Sequence, residues 1–85
     1  MKDLYYTRTE LFDIGFKSVG EDNKISKLAK FYASEGSVLG SNTRIDDFCL
    51  FKGKIDFGNF VHIAGFCLFS GVGGKIKIGD YSGFS

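Results

Sequence analysis

Leu39-Gly40-Ser41-Asn42-Thr43-Arg44, Ile45-Asp46-Asp47-Phe48-Cys49-Leu50 and then Phe51 form the stretch on which the fold turns. Large apolar residues stand at 39, 45 and 51, and uncharged small or β-branched ones at 43 and 49. In an extended strand, residues two apart share a face. Thr43 therefore lies beside Ile45, and Cys49 beside Phe51, on one side of a short strand. The step of six runs outward in both directions, back to Phe31 and Ile25 and on to Phe57, Ile63 and Phe69, then Ile78 and Phe84. The second register runs with it through Ala29, Ser37, Ile55, Val61, Cys67, Ile76 and Ser82, and none of these is charged. Lys52, Lys54, Asp56, Lys75, Lys77 and Asp80 all fall outside both registers.

Two insertions are needed to keep the count. Two residues are extra around Ser34-Glu35-Gly36, and three in Ser70-Gly71-Val72-Gly73-Gly74. Both sequences are turn-like, and insertions are tolerated in turns. The second is glycine-rich, but it lacks the Lys-Ser/Thr ending and following helix of a phosphate loop, so it reads as a corner excursion. Apolar spacing of two and four within six excludes an amphipathic helix, which needs three and four. An antiparallel sandwich would not hold one register over some sixty residues. A parallel β-helix of stacked coils does. Gly40, Gly58 and Gly79 each follow a core residue, with Asn42, Asn59 and Asp80 close by; all six residues are permissive at the bends, where positive φ is expected.

The amino-terminal segment reads differently. Thr7-Arg8-Thr9-Glu10 has capping-box spacing, Leu11 and Ile14 give one apolar stripe, and Gly15 is a natural stop. A short helix is expected over about 7–15, covering the open first coil as repeat stacks require. The expected division is an amino-terminal segment, 1–24, and a repeat domain, 25–85, with the fold class all-β.

Bulk properties agree. Eighty-five residues make one small domain, and a net charge of +1 leaves no footprint for nucleic acid or an anionic membrane. Ten Phe and twelve Gly with no Pro suit many short strands joined by tight turns. No apolar run approaches the roughly 20 residues of a membrane span. The start, Met1-Lys2-Asp3-Leu4-Tyr5-Tyr6, has no signal-peptide core, so a cytoplasmic location is expected. Cys49 and Cys67 form no CxxC motif and have no histidine cluster, so no metal site is expected.

The hexad resembles that of the hexapeptide-repeat acyltransferases. Leu39-Gly40-Ser41-Asn42-Thr43-Arg44 and Ile78-Gly79-Asp80-Tyr81-Ser82-Gly83 are close matches, and Ile45–Leu50 and Ile63–Leu68 also fit. The likeness runs from about Ile25 to the last residue. It implies a left-handed parallel β-helix with three hexads per triangular coil. The wording around Phe16-Lys17-Ser18-Val19-Gly20 and Arg44–Cys49 resembles acetyltransferases of surface-polysaccharide pathways. That implies acetyl-CoA-dependent O-acetylation of a sugar, with acetyl-CoA as co-substrate, no bound cofactor, and assembly as a homotrimer with active sites between subunits. Phe stands for Leu, Ile or Val at core positions 31, 51, 57, 69 and 84, which asks for an adjusted core. The chain also stops partway through a coil, whereas the family's acetyl-CoA groove and usual catalytic histidine lie in later coils. A truncated enzyme is therefore one expectation, and an inactive structural or assembly module is the alternative.

Three hexads per coil stack residues eighteen apart at about 4.8 Å. Cys49 then lies under Cys67, with parallel side chains ill-suited to a disulfide, and both read as reduced core residues. His62 stacks above Arg44, beside the corner that carries Asp46 and Asp47. Its functional reading is a general base for a sugar hydroxyl, oriented by a carboxylate; the plainer and commoner one is an edge histidine hydrogen-bonded to a neighbour. Asp46 and Asp47 are candidates to bind the acceptor's hydroxyls, although acids in turns more often only form the turn. A metal-dependent hydratase would need several histidines, and His62 is the only one. Phe48 with Phe66, and Phe60 with Tyr81, form outward aromatic columns of the kind that mark an interface, here read as the trimer contact. The rival reading packs them under a loop or the amino-terminal helix.

Overall fold

A computed structural model of the chain describes residues 4–84, apart from the side chains at 72 and 73. Met1–Asp3 and Ser85, on which the readings of the two ends partly rest, lie outside the described residues. The elements are α1 (Arg8–Ile14), β1 (Ser18–Val19), β2 (Lys24–Ile25), β3 (Lys30–Tyr32), β4 (Val38–Leu39), β5 (Arg44–Ile45), β6 (Leu50–Phe57), β7 (His62–Ile63), β8 (Leu68–Ile78) and β9 (Gly83–Phe84).

All strand pairs are parallel and form three faces. The first face joins β1, β4 and the second halves of β6 and β8. The second joins β2, β5, β7 and β9, and the third β3 with the first halves of β6 and β8. The chain visits the faces in turn, so each circuit is one triangular coil of a left-handed β-helix. Ile25 pairs with Ile45, Ile45 with Ile63, and Ile63 with Phe84. These steps of about 20, 18 and 21 residues are the eighteen of three hexads plus the two insertions. On β8 the second insertion sits where Lys52 pairs with Ser70 but Lys54 pairs with Lys75. The first ladder begins at Ser18–Val19, one hexad before Ile25, and Val19 is buried.

The expected core is observed over most of the chain, with Cys67, Ile76 and Ser82 only partly buried. Ile25, Leu39, Ile45, Phe51, Phe57, Ile63 and Ile78 are buried, with Ala29, Ser37, Thr43, Cys49, Ile55 and Val61 beside them. Phe31 and Phe69 are partly buried against this core. Phe84 is 41% exposed, because no coil among the described residues stacks on it. The phenylalanines fit by forming a column on the third face. Phe51 stacks on Phe31 at 5.0 Å and on Phe69 at 5.3 Å, and meets Phe57 edge-on. Such pairs add about 0.5–1.5 kcal/mol each beyond burial. Cys49 and Cys67 are both free, and burial pushes the Cys49 thiol up, which favours its protonated form.

The capping box forms as read, with Thr7 and Glu10 each accepting the other's backbone N–H, and Gly15 closes the helix at φ +125°. Leu11 is buried and Phe16 packs edge-on against Phe31, so α1 covers the first coil.

The corners correct one expectation. Of the six residues expected to be permissive there, only Asn42 has positive φ; the other non-glycine residues with positive φ are Asp22, Ala33, Phe48, Phe60, Phe66 and Tyr81. For Ala, Phe and Tyr this conformation costs about 1–2 kcal/mol each, and less for Asn and Asp. At the corners the cost is offset by a hydrogen bond between coils, as from Phe60 N–H to Ser41 O and from Tyr81 N–H to Asn59 O, both 2.9 Å. Gly40 and Gly58 serve close stacking instead. A Cβ on Gly40 would lie 2.4 Å from Gly58 O, and one on Gly58 2.4 Å from an Asp80 carboxylate oxygen.

Candidate functional site

The site builds up from strand alternation. Ile45 points inward, so Arg44 and Asp46 on either side of it point outward. His62 is the ladder partner of Arg44 one coil on, and the Asp46 N–H bonds to Ile63 O at 2.9 Å, which fixes the start of the corner. The Asp46 carboxylate then lies between two donors: Arg44 Nε is 2.9 Å from Oδ1 and His62 Nε2 is 3.2 Å from Oδ2. Partial burial pushes this carboxyl up, but the hydrogen bonds from His62 and Arg44 outweigh it and hold Asp46 below its ordinary range.

Asp46 stands at the edge of an open cleft of about 670 Å³ between the second and third faces. Phe48 and Phe66, stacked with centroids 5.2 Å apart, form one wall. Leu4 and Tyr5 form the other, where the amino-terminal segment runs antiparallel to the first coil through a Tyr5–Ser26 bridge and a Lys27 N–H bond to Leu4 O. Tyr6 pins the segment by donating its hydroxyl to Ala29 O at 3.0 Å.

Of the three residues singled out in the sequence, Asp46 and Asp47 line this cleft. His62 sits behind Asp46, outside the lining, with its side chain about half exposed. Asp47 is partly committed, since its Oδ1 accepts the Ser26 hydroxyl, whose oxygen in turn accepts the Leu28 N–H. Sequence reasoning missed Ser26, Leu4 and Tyr5, and did not see Arg44 as a partner of Asp46. Counting twenty residues back from the corner would have put Ser26 beneath Asp46, because the first insertion lengthens that coil. The four corner aromatics form the expected pairs, with Phe60 and Tyr81 stacked at 5.1 Å and an interplanar angle of 1°. The exposed faces are large, at 84% for Phe66 and 78% for Tyr81.

This arrangement can orient an imidazole behind Asp46, on the outer side of the cleft's rim. A carboxylate fixed by Arg44 sets the direction of the His62 ring, and the apolar walls next to it exclude some water.

No family model matches the sequence. The chain is 44% identical over 84 residues to dTDP-4-amino-4,6-dideoxy-D-glucose acyltransferase of Escherichia coli, covering 95% of this chain and 43% of that protein. Its fold matches the crystal structure of a point mutant of AntD, an N-acyltransferase from Bacillus cereus, in complex with dTDP and coenzyme A. The TM-score is 0.82 at 37% identity, over 98% of this chain and 46% of that one. The chain thus spans less than half the length of either relative. Its hexad register, its three-faced parallel coils and these two likenesses make the chain a left-handed parallel β-helix that is similar to part of each of these two acyltransferases.

Proposed function

We propose that these coils form the acceptor side of an acyltransferase that moves an acyl group from a coenzyme A thioester to a nucleotide-linked sugar. An amino group on the sugar is preferred to the hydroxyl read from the sequence, because both relatives are named for amino-sugar or N-acyl chemistry. The acceptor nitrogen attacks the thioester carbonyl, the C–S bond breaks, coenzyme A leaves as its thiolate, and one proton must leave the nitrogen. His62 is the candidate to take that proton, with Asp46 orienting the ring and stabilising its charged form. Asp47 would meet an acceptor hydroxyl with its second oxygen, and the Phe48/Phe66 and Phe60/Tyr81 columns would bury themselves between three copies of the chain. A thioester donor and a nucleotide-sugar acceptor fit a cytoplasmic setting.

The observation that carries this reading is the Asp46 carboxylate, held by Arg44 and His62 at the edge of the cleft. The test is acyl transfer from acetyl-CoA to dTDP-linked sugars bearing either an amino or a hydroxyl acceptor. Transfer to the amine that falls at least a hundredfold in His62→Ala is expected, in line with the usual contribution of a general base. Full turnover in that variant removes His62 from the chemistry.

A second reading, a non-catalytic assembly module, is favoured by one feature. Both Asp46 oxygens and one Asp47 oxygen are taken up by neighbours in the same chain. Absence of both coenzyme A binding and turnover would select it.

A further inference from the structure

The two ring nitrogens of His62 are not equivalent, and its neighbours on the second face tell them apart. Arg44 and His62 are ladder partners, and Asp46 follows Arg44 by two residues, so all three side chains leave the same side of the sheet. The Asp46 carboxylate has one donor on each oxygen, Arg44 Nε at 2.9 Å from Oδ1 and His62 Nε2 at 3.2 Å from Oδ2. The Asp46 N–H is committed to Ile63 O, so this residue is held at its backbone as well. Among the described residues, His62 Nδ1 has no hydrogen-bond partner.

An ionised carboxylate only accepts hydrogen bonds, whereas a protonated one also donates. Arg44 decides between the two. Its guanidinium is always charged and lies against Oδ1, and the bonds from both neighbours hold the carboxyl below its ordinary range, so Asp46 stays ionised. The bond at Oδ2 then runs in one direction, from Nε2–H to the carboxylate. A neutral imidazole carries a single ring hydrogen. With that hydrogen on Nε2, the bare lone pair is on Nδ1. The ion pair is too exposed to add much stability. Its effect is on direction, through a planar group whose N–H bonds point where the plane sets them. Lys24, the next cation on this column, pairs with Arg44 from the coil below and stands two coils from His62.

We propose that Arg44 is a positioning residue: by anchoring Asp46 it fixes His62 in the Nε2–H tautomer and leaves Nδ1 as the basic nitrogen of the ring. In the transfer proposed above, the acceptor's proton passes to Nδ1 and gives an imidazolium whose Nε2–H stays on Asp46. The destination of that proton rests on the acyl-transfer reading; the tautomer and the part of Arg44 do not.

The test is carboxymethylation of the full chain with bromoacetate at mildly alkaline pH, with the substituted nitrogen of His62 identified after acid hydrolysis. His62 is the chain's only histidine, so the product has one source. In an unrestrained histidine Nε2 is the less hindered nitrogen and is alkylated first. Substitution at Nδ1 is therefore expected in the parent, in about tenfold excess, the ratio that one charge-assisted hydrogen bond sustains. In Arg44→Met and Asp46→Ala chains whose circular dichroism matches the parent's, the preference should return to Nε2. Predominant Nε2 substitution in the parent overturns the proposal, and so does an isomer ratio that Arg44→Met leaves unchanged. Alkylation needs no turnover, so an Nδ1 product from a chain that transfers no acyl group would sink the catalytic reading alone and leave the tautomer standing.

Discussion

His62 Nε2 reaches across one coil to within 3.2 Å of Asp46 Oδ2, so the chain's only histidine and a corner acid meet because their strands are parallel neighbours. Residues sixteen apart in sequence are joined by the coil length alone.

That pairing has a pH signature. The Asp46 carboxyl is held below its ordinary value near 3.8, so the folded chain binds its proton less readily than the unfolded one. A depressed carboxylate contributes stability above its unfolded pKa and loses it as pH falls through the folded value. Asp46→Asn should therefore be less stable than the parent at pH 7, and the gap should close below about pH 4. Thermal midpoints of both chains across pH 2–7 would check this; a gap that stays constant to pH 2 would contradict it.

Close stacking of coils separates two glycines that look alike in sequence. Gly40→Ala would drive a methyl group into the backbone of Gly58 and should cost about 1–3 kcal/mol, as overpacking does. Gly79→Ala meets nothing within 4 Å and has no positive φ, so it should be neutral or stabilising by up to about 1 kcal/mol. Urea denaturation of the two variants gives the answer, and equal losses would show that the stacking distance is not what selects glycine.

At Phe66, backbone strain and an exposed ring coincide, with φ at 63°. Asn tolerates this conformation better than Phe does. Phe66→Asn should leave the single chain as stable as before, or more so by up to about 1 kcal/mol, while weakening the proposed trimer contact. Sedimentation velocity would show a shift toward monomer; an unchanged distribution would remove the ring from the interface.

The phenylalanine column makes the core intolerant of truncation. Phe51 is fully buried among Phe31, Phe57 and Phe69, so Phe51→Ala should cost about 3–5 kcal/mol. Small domains rarely hold more than that, and the variant should be largely unfolded at 37 °C by circular dichroism. A folded variant would mean that neighbouring rings can close the gap.

The readings that held from sequence were those a local repeat can carry. Ile25, Leu39, Ile45, Phe51, Phe57 and Ile63 keep one phase because every sixth residue returns to the same side of the coil. Thr7 and Glu10 cap a helix through contacts three residues apart. The aromatic pairs at 48/66 and 60/81 followed once the coil length was known. What stayed hidden depends on how one coil lies on the next. The bond between Ser26 and Asp47 crosses a coil lengthened by an insertion. Asn42 does take positive φ as its residue type suggested, but Gly40 and Gly58 do not, and groups one coil away set the limit there.

Sequence alone therefore determined the interior, since apolar periodicity is a property of neighbours along the chain and the hydrophobic effect needs only to know which side is wet. The tertiary structure decided the exterior. The cleft walled by Leu4, Tyr5, Phe48 and Phe66 and the Asp46 carboxylate between Arg44 and His62 are each assembled from at least two coils. The period names which residues stack, but the distances between their side chains follow from how the coils and the amino-terminal segment pack.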